Sequence, residues 1–357
     1  MTPADLSRTV LATVRRAVLA DELRVDVDAL PERIAVQRSS RPGCGDYATN
    51  VALQLAGPAG RSAGEVATIL ARRLEKEPGI AQVDVAAPGF LNITLHALAH
   101  HDVVREVREQ REAYGRGDGL AGEAVTVTAS GGPDAVRAPV VAEAVNLLLR
   151  AAGAGPGPSE PVRVEEPEPG ILDGLGRDAA RWALLRPPAE DRPRPTAELL
   201  RQHESNPLFR VRYAHARTRA LLRNARDLHV DVDAQVPVDA HAEPAPGGGG
   251  TDPGGPPPGD PHHAAHHPAE TELLGLVADF PRVVETAARR RAPDRVARHL
   301  ERLADAFLRF HDECPALPRG DEKPSAVHAA RVRLADAAGI VLADGLLLLG
   351  ISAPDHL

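Results

Sequence analysis

Lysine is nearly missing from this 357-residue chain: of its 42 basic residues only Lys76 and Lys323 are lysines, and the rest are arginines. Chemistry that needs a lysine therefore has two places to reside. Cysteine is as scarce, with Cys44 and Cys314 alone, and two thiols make neither a disulfide framework nor a zinc site by themselves. Aromatics are 3% of the residues, so a core must be built mainly from Leu, Val and Ala. No apolar run approaches the roughly 18–20 residues of a membrane span. The start of the chain has no basic stretch followed by an apolar core, so no secretory signal is expected. Arg15 and Arg16 lie among acids, unlike an organelle presequence. The expectation is a soluble, cytoplasmic protein. A net charge of −8 argues against indiscriminate nucleic-acid binding and leaves room for a local basic patch.

What is present fits an ordinary globular protein, 43% hydrophobic and 26% charged, of a length that suggests two domains. Residues 1–115 read as a compact α+β unit. Leu6, Val10, Val14, Ala17 and Val18 recur at helical spacing, and Ile34 and Val36 alternate as in a short strand. Ser62 and Glu65 form a Ser-x-x-Glu capping box before Val66, Ile69, Leu70 and Leu74. Alternating residues on both sides of Pro88-Gly89 predict a hairpin. Residues 121–153 offer one strand, around 125–128, and one helix, around 140–150. The Pro/Gly/Glu-rich stretch 154–173 reads as a linker. From 174 to 357 the pattern is that of an α-helical bundle. A low-complexity insert at about 234–268 is expected to be disordered. The fold class is thus a small antiparallel sheet with helices, followed by an all-α bundle, mainly α overall.

The most informative predicted helix is 206–226. Asn206 is a good N-cap and Pro207 suits the first helical position. At about 100° per residue, Val211, Thr218, Leu222 and Ala225 share one face, while Arg212, Arg219, Arg223 and Arg226 gather within about 40° of another. Phe209 and Tyr213 flank that stripe, and no acid stands between Ser205 and Arg226. Arginines track phosphates and exposed rings stack on unpaired bases; the alternative is a solvated arginine face.

Elsewhere the bland reading is favoured. The glycine loop 41–46 is expected to precede a helix containing Tyr47, with Asp46 as its cap, where it would repel an anion. His262, His263, His266 and His267 sit between prolines and read as compositional. In the last helix Val327, Leu334, Val341 and Leu348 repeat every seven residues. Arg289, Arg290 and Arg291 read as a helix end. No P-loop, dinucleotide fingerprint or H-E-x-x-H is present, so no catalytic residue, metal site or cofactor is expected.

Several blocks, in order, resemble the arginyl-tRNA synthetase family. Gly45-Asp-Tyr-Ala-Thr-Asn-Val-Ala-Leu-Gln-Leu55 and Ala87-Pro-Gly-Phe-Leu-Asn92 resemble its N-terminal additional domain. Gly176-Arg-Asp-Ala-Ala-Arg181, Asn206-Pro-Leu-Phe-Arg-Val-Arg-Tyr-Ala-His-Ala-Arg217 and Leu349-Gly-Ile-Ser-Ala-Pro-Asp-His-Leu357 resemble its helical anticodon-binding domain. The resemblance implies that Phe90 and Asn92 meet the D-loop of tRNA. It likewise implies that Phe209, Tyr213 and Leu357 lie near the anticodon loop. In the family a class I catalytic domain with His-x-Gly-His and Lys-Met-Ser-Lys-Ser-like motifs separates the two parts. Here Val125-Thr-Val-Thr-Ala-Ser-Gly-Gly-Pro-Asp134 is similar to the strand end before the first motif. Arg137-Ala-Pro-Val-Val-Ala-Glu-Ala144 then stands where that motif belongs, and neither lysine is near a signature loop. The resemblance implies a protein that handles tRNA, with tRNA-Arg the first candidate, without activating an amino acid. Retained arginine–tRNA ligase activity with a partner, and a protein-interaction scaffold, are the alternatives.

Overall fold

The computed structural model describes residues 3–26, 30–31, 34–39, 45–95, 97–132, 134–232 and 267–357. The chain divides into two compact units, Met1–Arg105 and Glu106–Leu357.

In the first unit, β1 (Val36–Arg38), β2 (Tyr47–Thr49), β3 (Ile80–Ala86) and β4 (Phe90–Leu95) form an antiparallel sheet in the order β1-β2-β4-β3. Helices α1 (Pro3–Leu19), α2 (Val51–Ala59) and α3 (Ala63–Leu74) pack on it. Leu6, Val10 and Val14 of α1, Val66, Leu70 and Leu74 of α3, and Leu91 and Ile93 of β4 are all fully buried in one cluster. Removing one such leucine side chain costs about 2–5 kcal/mol. The capping box is formed: Ser62 Oγ accepts from the Glu65 N–H, and the Glu65 carboxylate accepts from the Ser62 N–H. Alternation along β4 buries Leu91, Ile93 and Leu95 and turns Phe90, Asn92 and Thr94 to the other face. The hairpin turn sits tightly, because a Cβ on Gly89 would lie 2.7 Å from Ala63 Cβ.

One expectation fails here. Tyr47 belongs to β2, not to a helix, and α2 begins only after Asn50. Asp46 caps no helix: its carboxylate accepts from the Leu95 N–H at 2.8 Å, tying down the end of β4. Gly45 has φ +73°, and a Cβ there would stand 3.0 Å from the Ile93 carbonyl oxygen, so the strand entry requires glycine. Residues 41–44 of that loop, with Cys44, lie outside the described residues.

The division between the units falls within α4 (Ala97–Gln110). The second unit then forms β5 (Ala124–Thr128), α5 (Arg137–Ala151) and β6 (Gly155–Pro161), with the two strands paired in parallel. Strand β6 corrects the linker reading of 154–173. Its sequence is Gly-Pro-Gly-Pro-Ser-Glu-Pro, yet the Gly155 and Gly157 N–H groups donate to the β5 side, at Glu123 O and Thr126 Oγ1. Pro156 and Pro158, which have no N–H to offer, alternate with them and so take the unbonded edge. A Cβ on Gly157 would come 2.3 Å from the Ala124 carbonyl, which explains the glycine.

Helices α6 (Arg177–Leu185), α7 (Pro207–Asp227), α8 (Pro268–Arg289), α9 (Asp294–Glu313) and α10 (Ala326–Leu348) make the bundle. Val296, Leu300, Leu303, Phe307 and Phe310 form the expected seam of α9 and are fully buried. Helix α10 is more than a seven-residue seam: Val332, Ala335, Ala337, Ala338, Val341 and Leu342 are also buried, so it runs through the centre with apolar residues on most sides. Two of its glycines admit neighbours, since a Cβ at Gly339 would strike Thr218 of α7 and one at Gly345 would strike Leu300 of α9. Helix α8 ends at Arg289 as expected, and Arg289 and Arg291 pair with Glu123 and Glu160 beside β5 and β6. Of the insert, residues 233–266 lie outside the described residues, including His262, His263 and His266.

Candidate functional site

Helix α7 starts where its sequence says it should. Asn206 Oδ1 accepts from the Phe209 N–H, and its amide donates to the Leu199 and Arg201 carbonyls, so this 3% exposed cap is fully used. Leu208, Val211, Ala214, Thr218, Leu221, Leu222 and Ala225 face the bundle and pack mainly against α9 and α10. That burial fixes the rotation of the helix, and hence which side chains meet solvent.

The solvent side forms a concavity of about 300 Å³ lined by Phe209, Tyr213, Arg217, Arg223, His356 and Leu357 among others. The Phe209 and Tyr213 rings stack with centroids 5.7 Å apart and planes 19° from parallel. Tyr213 is 40% and Leu357 53% exposed. Arg217 Nε donates to His311 Nε2 at 3.1 Å. Burial and the neighbouring Arg217 charge hold the His311 pKa below the usual histidine value.

Just beyond the end of α10 at Leu348, Gly350 takes the left-handed conformation at φ +68°, and residues 351–357 then turn back along α7. Ile351 is buried. Arg212 pairs with Asp178 at 2.8 Å and donates to the Ser352 carbonyl at 3.2 Å. The His215 Nδ1–H donates to the Pro354 carbonyl at 3.1 Å, and burial lowers the ring's pKa although that bond works in the opposite direction. Arg219 pairs with Asp355 at 3.2 Å, and Arg223 reaches His356 at 3.5 Å. The arginine stripe read from sequence is therefore not a bare cationic face: three of its members hold the end segment in place.

The structure thus brings four expected residues, Phe209, Tyr213, Arg223 and Leu357, around one concavity. Arg212 and Arg219 lie on the same helix, engaged with residues 352 and 355. Arg226 is exposed near the helix end, outside the concavity. Phe90 and Asn92 are in the first unit, on the face of β4 away from the core. Phe90 is 39% exposed, and Asn92 stands in register between Ala48 and Asp84. Sequence reasoning missed Gln202, Ala216, Arg217, Ala220, Asp355 and His356. The spacing 209, 213, 216, 220, 223 held the signal, since steps of four and three trace one helical face. Among the described residues no group of three or more His, Cys, Asp or Glu side chains is placed to hold a metal ion. No described helix is long and apolar enough to cross a membrane.

Comparison with known proteins agrees with this layout. The family model for the arginyl tRNA synthetase N terminal domain matches residues 5–95, and that for the DALR anticodon binding domain matches 211–357. Arginine–tRNA ligase of Frankia alni is 26% identical, with all of both chains covered by an alignment of 578 positions. Since this chain has 357 residues, more than a third of that alignment carries none of them. Arginine–tRNA ligase of Clavibacter sepedonicus is 33% identical over 273 residues, which are 74% of this chain and 41% of that one. The Thermus thermophilus arginyl-tRNA synthetase structure shares the fold, with a TM-score of 0.65 at 12% identity and all of both chains covered. Fold and matches define a chain that joins a synthetase-type N-terminal domain to a DALR anticodon-binding domain. It belongs to the arginyl-tRNA synthetase family.

Proposed function

We propose that this chain binds tRNA, with tRNA-Arg as first candidate, and serves an accessory or regulatory role without activating arginine. The observation that carries the reading is the concave face of α7. The exposed Tyr213 ring, stacked on the half-buried Phe209 ring beside Arg217 and Arg223, offers a π-face for unstacked bases, and the arginines offer cations for the phosphates between them. Phe90 and Asn92, on the open face of β4, are proposed as a second, separate contact with tRNA. A protein partner and the cytoplasmic location belong to the same proposal.

The catalytic half of the reading rests on what the chain carries between its two matched parts. Adenylate formation needs preorganised positive groups on the ATP phosphates. The first residue of α5, at the position of the family's histidine motif, is Arg137. Its guanidinium is 1% exposed and donates to the carbonyls of Leu184, Glu165, Ala189, Asp191, Pro187 and Pro188. A group so engaged has nothing left for a phosphate.

The competing reading is arginine–tRNA ligase activity, favoured by relatives of that name aligned along their whole length. Two assays separate them. Arginine-dependent exchange of pyrophosphate into ATP should be absent, and tRNA-Arg should bind with an affinity that falls on Tyr213→Ala. Exchange by the purified chain would overturn the non-catalytic half. Full affinity in the Tyr213 variant would overturn the α7 half. Capture of a protein partner that survives ribonuclease, with no tRNA binding, would favour a scaffold.

A further inference from the structure

In α/β units, ligands bind beyond the carboxyl ends of parallel strands, often with an anion on the N–H groups of the following helix. Here β5 ends at Thr128 and α5 begins at Arg137, with Gly131 and Gly132 in the loop between. The first turn of α5 has no cap of its own, because its N-cap is Val136. The chain leaving β6 folds over that end: the Val162 N–H donates to the Thr128 carbonyl at 2.9 Å. Four residues on, the Glu166 carboxylate reaches the helix start. Its Oε2 accepts from the Val136 and Arg137 N–H groups at 3.0 and 2.8 Å, and its Oε1 accepts from the Ala138 N–H at 2.9 Å.

We infer that Glu166 is an intramolecular plug, a carboxylate occupying the anion position that this strand–helix unit would otherwise offer to a phosphate. Three donors on two oxygens at the positive end of a 15-residue helix make a complete anion seat. The seat is also held from below. Arg137, whose own N–H is one of the donors, binds the Glu165 carbonyl at 2.8 Å through its guanidinium. The Glu165 N–H in turn donates to the Ala189 carbonyl at 3.0 Å. Residues 165–166 are therefore clamped between the helix start and the loop 187–191, so that the plug stays seated. The consequence is that this unit acts as a strut of the second unit and is closed to phosphate-bearing ligands. The inference stands apart from tRNA binding, which concerns α7.

The test is anion rescue in the full-length chain, read as the thermal midpoint with and without inorganic phosphate at ionic strength matched by chloride. The wild type should respond no more to phosphate than to chloride. Glu166→Ala should lower the midpoint by about 2–4 °C, the size of one missing cap in a unit this large. Phosphate, but not chloride, should then restore part of the loss. Glu166→Gln keeps an acceptor without the charge and should show a smaller loss. Hydrogen exchange at the Arg137 and Ala138 amides should quicken in Glu166→Gln, a readout that serves even if Glu166→Ala does not fold. Unchanged midpoints and exchange in both variants, or equal phosphate stabilisation of wild type and Glu166→Ala, would overturn the inference.

Discussion

Arg137 and Arg223 carry the same guanidinium, but the first is 1% exposed and held by six carbonyls, whereas the second stands at the lip of an open concavity with His356 at 3.5 Å. Burial and hydrogen bonding decide what a charge is for. At Arg137 desolvation lowers the pKa, nearby acids oppose that, and the carbonyl cage makes burial tolerable, so the charge serves structure. On α7 Arg212 and Arg219 pair with Asp178 and Asp355, and Arg223 only reaches the His356 ring, contacts that are weak and open to exchange. A polyanion can compete for the second kind and not for the first.

The largest effect that sharpens this contrast is in stability. Arg137→Met should cost about 3–5 kcal/mol in urea unfolding, because it strands buried carbonyls, while Arg223→Gln should cost under about 1 kcal/mol. Equal losses would break the comparison.

Asp344 extends the contrast to a buried charge without a cage. It is 2% exposed, and burial pushes its pKa up to about 7, with Arg116 and the Gly115 N–H pulling it down only in part. The folded form thus holds a proton more tightly than the unfolded chain. That contribution is present in full below the ordinary value of 3.8 and is lost as pH rises through about 7. Asp344→Asn should flatten this slope and be more stable than wild type at pH 8. His299, fully buried and lowered to about 4, runs the other way: its contribution is present above 6.5 and lost as pH falls through about 4. Unfolding midpoints across pH 4 to 8 separate the two, and an unchanged slope in Asp344→Asn would contradict the assignment.

Smaller effects concern binding. Tyr213→Ala should weaken tRNA binding by about 1–3 kcal/mol because a base then has no ring to stack on, with little change in stability; fluorescence anisotropy measures the first and thermal melting the second. Asp355→Asn frees Arg219 from its partner and should strengthen tRNA binding by a few-fold at most, the worth of one exposed ion pair. Weaker binding in that variant would mean that the end segment, not Arg219, is the part that tRNA needs.

Much of this was legible in the residues. Cap, proline and apolar spacing place α7 within a residue of its observed bounds, and the capping box and hairpin of the first unit follow from local pattern alone. What escaped depends on pairs far apart in the chain. Arg219 and Asp355 lie 136 positions from one another by their numbers, and nothing in either neighbourhood announces the pairing. The Gly-Pro alternation of 155–158 reads as a linker because its order comes from pairing with β5. Asp46 has the composition of a helix cap, and only the sheet register shows that it ties a strand.

The measurement that bears most directly on the account is the dissociation constant for tRNA-Arg and an unrelated tRNA at about 50 and 200 mM salt, for the wild type and for Arg219→Gln/Arg223→Gln. The account predicts that the wild type prefers tRNA-Arg at both concentrations. It also predicts that the double variant binds more weakly, its dependence on log salt shallower by about 0.7 for each phosphate that it no longer neutralises. Equal affinity for both tRNAs, or a double variant that binds as the wild type does, would contradict it.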